Sequence, residues 1–227
     1  MLQRQAIWQG GAPSTAGPAA STGFKVLDAE LPGGGWPVGG LIEVFCRHEG
    51  LGEMQLALPA LAALTAAGHR VAWLAPPYLP YAPALRAAGV RLQQLTVVRA
   101  PGRRDALWAA EQALRANAFH ALLAWLPQAN YAELRRLAVA AQAGPGFALV
   151  FRPPEAAGES SPAVLRLSLE PSFESSAQPL AVRILKRRGT PMSMPLRLPI
   201  ERPAHALGRA PLPPVQAPGA VARACAA

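Results

Sequence analysis

Short apolar runs and longer stretches of helical periodicity take turns along most of this chain. LIEVF at 41–45, VAWLA at 71–75, LTVV at 95–98, ALLAWL at 121–126 and FALVF at 147–151 are β-prone and mostly apolar, the pattern of strands buried on both faces. Between them lie helical segments at 54–67, 81–88, 103–117 and 131–142. A leading amphipathic piece carries Phe24, Leu27 and Leu31 at helical spacing and is closed by proline and glycines. Strand and helix in alternation predict an α/β fold, a mostly parallel sheet with helices on both faces joined by right-handed crossovers.

Within these elements the pattern assigns faces. In MQLALPALAALTAA, 54–67, Leu58, Leu61 and Leu64 share a side. Pro59 removes an N–H and crowds the preceding turn, so this helix is expected to kink or to begin late. In the 103–117 helix, Leu107, Ala110 and Leu114 form the expected buried stripe, leaving Arg103, Arg104, Glu111 and Arg115 to solvent. Trp36, Trp108 and Tyr131 are the large aromatics an interface would use, and their default place is the core.

Past RPPEAAGESSP the helices stop. AVLRLSLE at 163–170, LAVRILKRR at 180–188 and MPLRLPI at 194–200 predict an antiparallel C-terminal strand extension on one sheet edge. Val182, Ile184 and Lys186 alternate there with Arg183, Leu185 and Arg187, which suits a half-buried edge. Residues 1–20 are small, polar and rich in glycine and proline, as expected of a flexible arm before a domain at 21–200. Residues 201–227 form a basic tail dominated by proline and alanine that cannot build a core and is expected to be disordered; PLPPV at 211–215 is its compact apolar candidate for docking.

Composition narrows the possibilities. A core of about 180 residues can bury roughly 70% of its unfolded surface without help from disulfides or metal. Cys46 and Cys225 are too few and too far apart for a disulfide framework, and four scattered His residues offer no zinc spacing. No apolar run nears the roughly 20 residues of a membrane helix, and the first residues lack the apolar stretch of a signal peptide. The expectation is a cytoplasmic protein without membrane partner, metal or cofactor. A net charge of +9 invites contact with DNA. Yet only Lys25 and Lys186 are lysines, and arginine with abundant Ala, Pro and Gly is also what a GC-rich coding sequence produces. The run Lys186, Arg187, Arg188, with Arg183 nearby, reads either as a solvated turn or as a nucleic-acid or partner contact.

The chemistry concentrates in GGGWPVGGLIEVFCRHEGLGEMQL, 33–56, a strand entering a loop and helix where a phosphate cradle is expected. A working P-loop, G-x-x-x-x-G-K-[ST], wraps phosphates in backbone N–H groups, reaches them with Lys and holds magnesium through a hydroxyl. Counting back from Gly52 places the first glycine on Arg47, the Lys on Glu53 and the Ser/Thr on Met54, with Gly50 and Gly52 retained. Glu53 puts negative charge where phosphate charge must be neutralised, and Met54 offers no hard oxygen ligand. The stretch is either a phosphate cradle that has lost its chemistry or a polar strand-to-helix turn.

STGFKVLD, GGGWPVGG and LIEVF, in that order, resemble the RecA recombinase core, and the order of elements follows over roughly 21–200. The resemblance implies a RecA-like fold. Where its Walker B strand ends in a magnesium-holding Asp, this chain has Trp125, and the catalytic Glu expected after the second strand falls among Pro76, Pro77 and Tyr78. Loss of Lys, hydroxyl, Asp and Glu together implies a degenerate hydrolase scaffold rather than an enzyme.

Within that group LPGGGWPVGGLIEV, CRHEGLGEMQLALPAL and the basic strand-rich segment after 163 are similar to the ImuA family. That similarity implies a non-catalytic accessory factor in SOS-induced, error-prone translesion synthesis. Its implied partners are RecA, an ImuB-type Y-family polymerase homologue and, indirectly, an error-prone polymerase. The middle of the chain, with its proline-interrupted Leu-rich helix and ALLAWLP, also resembles SulA, the division inhibitor that binds FtsZ. A non-catalytic nucleic-acid binder using Arg183, Lys186, Arg187 and Arg188 is the third alternative.

Overall fold

The computed structural model describes residues 17–47, 52–171, 180–187 and 194–200. His48 to Leu51, including Gly50, lie outside them, as do Arg188, the first part of the N-terminal arm and the whole tail with Cys225 and PLPPV.

A two-stranded ribbon pairs β1 (Ala19–Ala20) with β2 (Trp36–Pro37), so the end of the arm is tied to the glycine-rich turn. α1 (Lys25–Glu30) lies between them, and the Asp28 carboxylate accepts hydrogen bonds from the Ser21 hydroxyl and the Thr22 N–H. The main elements follow as β3 (Leu41–Cys46), α2 (Glu53–Ala66), β4 (Val71–Leu74), α3 (Ala82–Ala87), β5 (Leu95–Val98), α4 (Arg103–Arg115), β6 (Ala121–Trp125), α5 (Tyr131–Ala141) and β7 (Phe147–Arg152). Three strands complete the described residues: β8 (Leu165–Pro171), β9 (Leu180–Lys186) and β10 (Leu196–Leu198).

β3 to β10 form one eight-stranded sheet in the order β10-β9-β8-β3-β7-β6-β4-β5. From β3 the chain jumps outward to β4 and β5 through α2 and α3, then returns to β6 and β7 through α4 and α5. Outward and return crossovers of the same hand must lie on opposite faces. The core accordingly has two layers. Ile42, Val44, Trp73, Leu123 and Leu149 of the sheet pack with Leu27 of α1, Leu56 and Leu61 of α2 and Leu85 of α3. Leu41, Ala72, Leu74, Ala124, Leu134 and Val150 pack under α4 and α5.

Several expectations need correction. The C-terminal extension is antiparallel only from β9 onward; β8 pairs parallel with β3, with Glu43 opposite Arg166. A crossover from β7 carries the chain past β3 to that flank, so β3 becomes a central strand. α2 starts at Glu53, where a P-loop helix would, and runs through Pro59. The ring is accommodated because a Cβ on Gly23 would sit 2.3 Å from the Pro59 Cβ, a place only glycine leaves open. Glu111, assigned to solvent, is 4% exposed, and Trp108, assigned to the core, is 63% exposed. Ala106, not Leu107, turns inward with Ala110, which rotates the buried stripe of α4 so that Glu111 faces α5. Tyr131 is also exposed, while Trp36 is fully buried. Lys186, at the end of the alternating run in β9, is exposed where the strand leaves the sheet.

Candidate functional site

The site begins at the C-terminal ends of β3, β6 and β7. α2 leaves the loop after β3 with Gly52 as its N-cap in the left-handed region, φ 114°. That conformation is cheap only for glycine. Glu53 opens the helix and is 7% exposed, its negative charge lying along the positive end of the helix dipole. A phosphate at this terminus would meet that carboxylate. Met54 is half-buried and packs against the core instead of facing a cation. Arg47, in the place of the first glycine, is exposed just past β3.

The cradle position is also covered. A Cβ built on Gly52 would lie 3.2 Å from Leu180 Cδ1 at the start of β9 and 3.6 Å from Ile200 Cδ1 beyond β10. The C-terminal strands thus bring apolar side chains onto the glycine that would wrap phosphate. On the sheet below, Trp125 stacks on Phe151 with centroids 4.8 Å apart and meets Trp73 edge-on at 6.0 Å. Rings stand where the resemblance places a magnesium-holding carboxylate. The neighbouring Cys46 thiol is pushed far above its ordinary pKa, first by burial and then by the charge of Glu53, so it is held as an unreactive thiol. Pro76, Pro77 and Tyr78 follow Ala75, which adopts φ 49°, and open onto the surface, where Tyr78, Leu79 and Tyr81 are largely exposed. Among the described residues no group of three or more His, Cys, Asp or Glu side chains is placed to hold a metal ion.

The opposite face of β3 carries a feature that the motif pattern did not indicate. Glu43 is fully buried; its Oε1 accepts from Arg152 Nη1 at 2.8 Å and its Oε2 from Arg166 Nε at 2.9 Å. Arg152 also donates to Glu159 at 2.8 Å and to the Ala129 carbonyl at 2.7 Å. Arg166 donates to the Ala156 carbonyl and lies over the Phe45 ring, 4.9 Å from its centroid. Burial acts to lower the pKa of Arg152, but hydrogen bonds to Glu159 and Glu43 and their charges outweigh it, so the guanidinium stays charged above its ordinary value. The network clamps the middle of β3 to the end of β7 and the start of β8. Its signal in the sequence was the single charge Glu43 inside the otherwise apolar strand β3, an expensive placement unless the charge pairs.

Of the basic residues proposed for nucleic-acid or partner contact, Arg188 lies outside the described residues and the other three each have a partner within the chain. Arg183 faces Glu170 at 3.4 Å on the exposed side of the sheet. Lys186 donates to the Ser161 carbonyl at 2.9 Å. Arg187, mostly buried, donates to the carbonyl and, at 2.9 Å, to the carboxylate of Glu30, tying the end of β9 to α1. Of these contacts that of Arg187 is an internal brace, whereas Arg183 and Lys186 make theirs on the surface.

With this geometry in view, the comparisons with known proteins fall on the middle of the chain. Residues 39–148 match the family model described as cell division inhibitor SulA. The cell division inhibitor SulA of Edwardsiella piscicida is 36% identical over 83 residues, 37% of this chain and 49% of that relative. The chain therefore spans about half the length of the curated relative it matches. The crystal structure of SulA from Pseudomonas aeruginosa is similar at 25% identity and a TM-score of 0.44, covering 49% of this chain and 96% of that one. The stretch from the entry into β3 to the start of β7 is thus SulA-like, set in a mixed α/β fold with a mostly parallel sheet. No described helix is long and apolar enough to cross a membrane.

Proposed function

We propose that this chain is a non-catalytic, protein-binding factor of the bacterial DNA-damage response, built on a RecA-like scaffold whose nucleotide site is closed. The observation that carries the proposal is the cradle: Glu53 and Met54 stand in place of Lys and hydroxyl, with Leu180 and Ile200 packed on Gly52 above them. Phosphoryl transfer needs charge neutralisation and a coordinated cation, and Glu53 and Met54, at the two positions that would supply them, can provide neither.

For the partner, similarity to SulA over 39–148 supports a division inhibitor that acts on FtsZ, and the comparisons favour that role. A second role is favoured by the remainder of the fold. β8, β9 and β10 lie beyond the matched stretch, yet β8 flanks β3, supplies Arg166 to the buried network and brings β9 onto the cradle. That segment, together with the glycine-rich entry, carries the resemblance to ImuA. It supports an accessory factor in error-prone translesion synthesis that contacts RecA and an ImuB-type polymerase homologue, with cytoplasmic localisation.

One pair of cellular measurements separates the two roles: division on overexpression, and damage-induced mutation frequency on deletion. Filamentation relieved by raising FtsZ supports the division inhibitor. Normal septation with loss of induced mutagenesis supports the translesion factor. Neither phenotype in a host expressing the protein would refute both.

A further inference from the structure

Exposed tryptophan is costly surface, and Trp108 is the large aromatic that departs furthest from its expected place. It stands on α4 at the edge of an open groove of about 410 Å³ between α4 and α5, whose apolar floor is formed by Leu107 and Leu137. Arg103, Arg104 and Arg136 line the same groove with Glu111 and Glu133. The two carboxylates are already satisfied. Glu133 accepts two bonds from Arg103 at 2.9 and 2.7 Å and completes the capping box of α5 with Asn130. Buried Glu111 is held by Arg115 at 2.8 Å and by Arg136. Three guanidinium groups therefore face two carboxylates, and the further Arg104 of the groove has no ion-pair partner among the described residues.

We propose that the α4–α5 groove is a docking site for an acidic segment of a partner protein, one that places an apolar side chain against Trp108, Leu107 and Leu137 and carboxylates against Arg104, Arg103 and Arg136. The inference rests on the chain being a protein-binding factor and assigns the surface that does the binding. A tryptophan ringed by arginines is the composition in which interface energy concentrates. Carboxylates match the forked guanidinium donors: Arg103 and Arg136 reach Glu133 and Glu111 through Nη2, and with side chains 47% and 67% exposed their other donors can meet an added carboxylate while those pairs stay intact. Nucleic acid fits less well, since its backbone presents successive charges to a run of free cations, and of the three arginines lining the groove only Arg104 lacks an ion-pair partner among the described residues.

The test uses the full chain and three probes: a short Asp/Glu-rich peptide containing one Phe, the same peptide with Lys in place of the acids, and a dT oligomer. Affinities are measured for wild type, Trp108→Ala and Arg104→Glu, both at exposed sites, with circular dichroism to verify folding. The acidic peptide is expected to bind alone among the probes, to lose about tenfold or more in affinity with Trp108→Ala, and to weaken with salt and with Arg104→Glu. No acidic-peptide binding up to about 1 mM, equal binding by the variants, or dT binding abolished by Trp108→Ala would each overturn the proposal. Purified FtsZ and RecA are then tested with the same variants. Capture by wild type that both substitutions leave unchanged removes the groove while the protein-binding role stands; failure of either to bind wild type, with the peptide result intact, removes those partners and leaves the groove.

Discussion

Replacing Glu43 by Gln keeps the size of the side chain and removes the charge at the centre of the buried network. Two guanidinium groups then lose their shared anion in a place where Glu43 is fully buried and the Arg152 and Arg166 side chains are 2% and 10% exposed. The amide can still accept one hydrogen bond, but its NH2 must face a donor. Breaking a buried ion pair by removing one partner costs about 3–5 kcal/mol. Arg152 retains Glu159 and the Ala129 carbonyl, and Arg166 retains the Ala156 carbonyl and the Phe45 ring, which places the loss at the low end, about 3 kcal/mol. With a urea slope of about 2 kcal/mol per molar, the unfolding midpoint should fall by about 1.5 M without change in slope. Glu43→Met combined with Arg166→Met removes both charges and fills the space, so it should cost less than Glu43→Gln alone, with Arg152 still paired to Glu159. A midpoint for Glu43→Gln within about 0.3 M of wild type, or a double variant less stable than the single, would refute the idea that the charges are held by mutual neutralisation.

Other consequences can be checked with the same material. His120 stacks on His69 at 3.8 Å, and burial, then the charge of His69, lower its pKa below 6.5. The folded state thus binds its proton less readily than the unfolded chain, so its contribution is present above about pH 6.5 and is lost as pH falls through the lowered value. His120→Gln should flatten the acid-side loss of stability in urea titrations between pH 7 and pH 5, relative to wild type, by about the proton uptake of one group. Cys46 should resist maleimide at pH 8 in the native protein and react once urea unfolds it, as read by peptide mapping; rapid native labelling would contradict its burial. Gly23→Ala places a Cβ 2.3 Å from Pro59 at φ 87° and should cost about 1–3 kcal/mol in thermal or urea unfolding.

Much of the architecture was legible because period decides element type and chain order decides sheet class. LTVV was placed at its observed limits, and the five apolar runs all became strands of one sheet. What local pattern could not convey was position in the sheet. The AVLRLSLE run alternates like an edge strand, yet β8 lies beside β3 because the crossover after β7 passes over it, and Arg166 is tolerated there only because Glu43 waits on the neighbouring strand. Pro59 argued against an early helix start, and the compensating fact, Gly23 packed on its ring, lies far back in the chain. Small alanines on α4 blurred which stripe faces inward, so Glu111 and Trp108 were exchanged between core and surface. At the cradle the substitutions Glu53 and Met54 were plain in sequence; the cover supplied by Leu180 and Ile200 needed the fold.

The proposal that this chain works without phosphoryl transfer is tested most directly by steady-state ATP hydrolysis. The purified full-length chain would be assayed with magnesium, in the presence and absence of single-stranded DNA. The proposal predicts turnover indistinguishable from a protein-free control under both conditions. Magnesium-dependent turnover that scales with protein concentration and changes with substitution of Glu53 or Trp125 would contradict it.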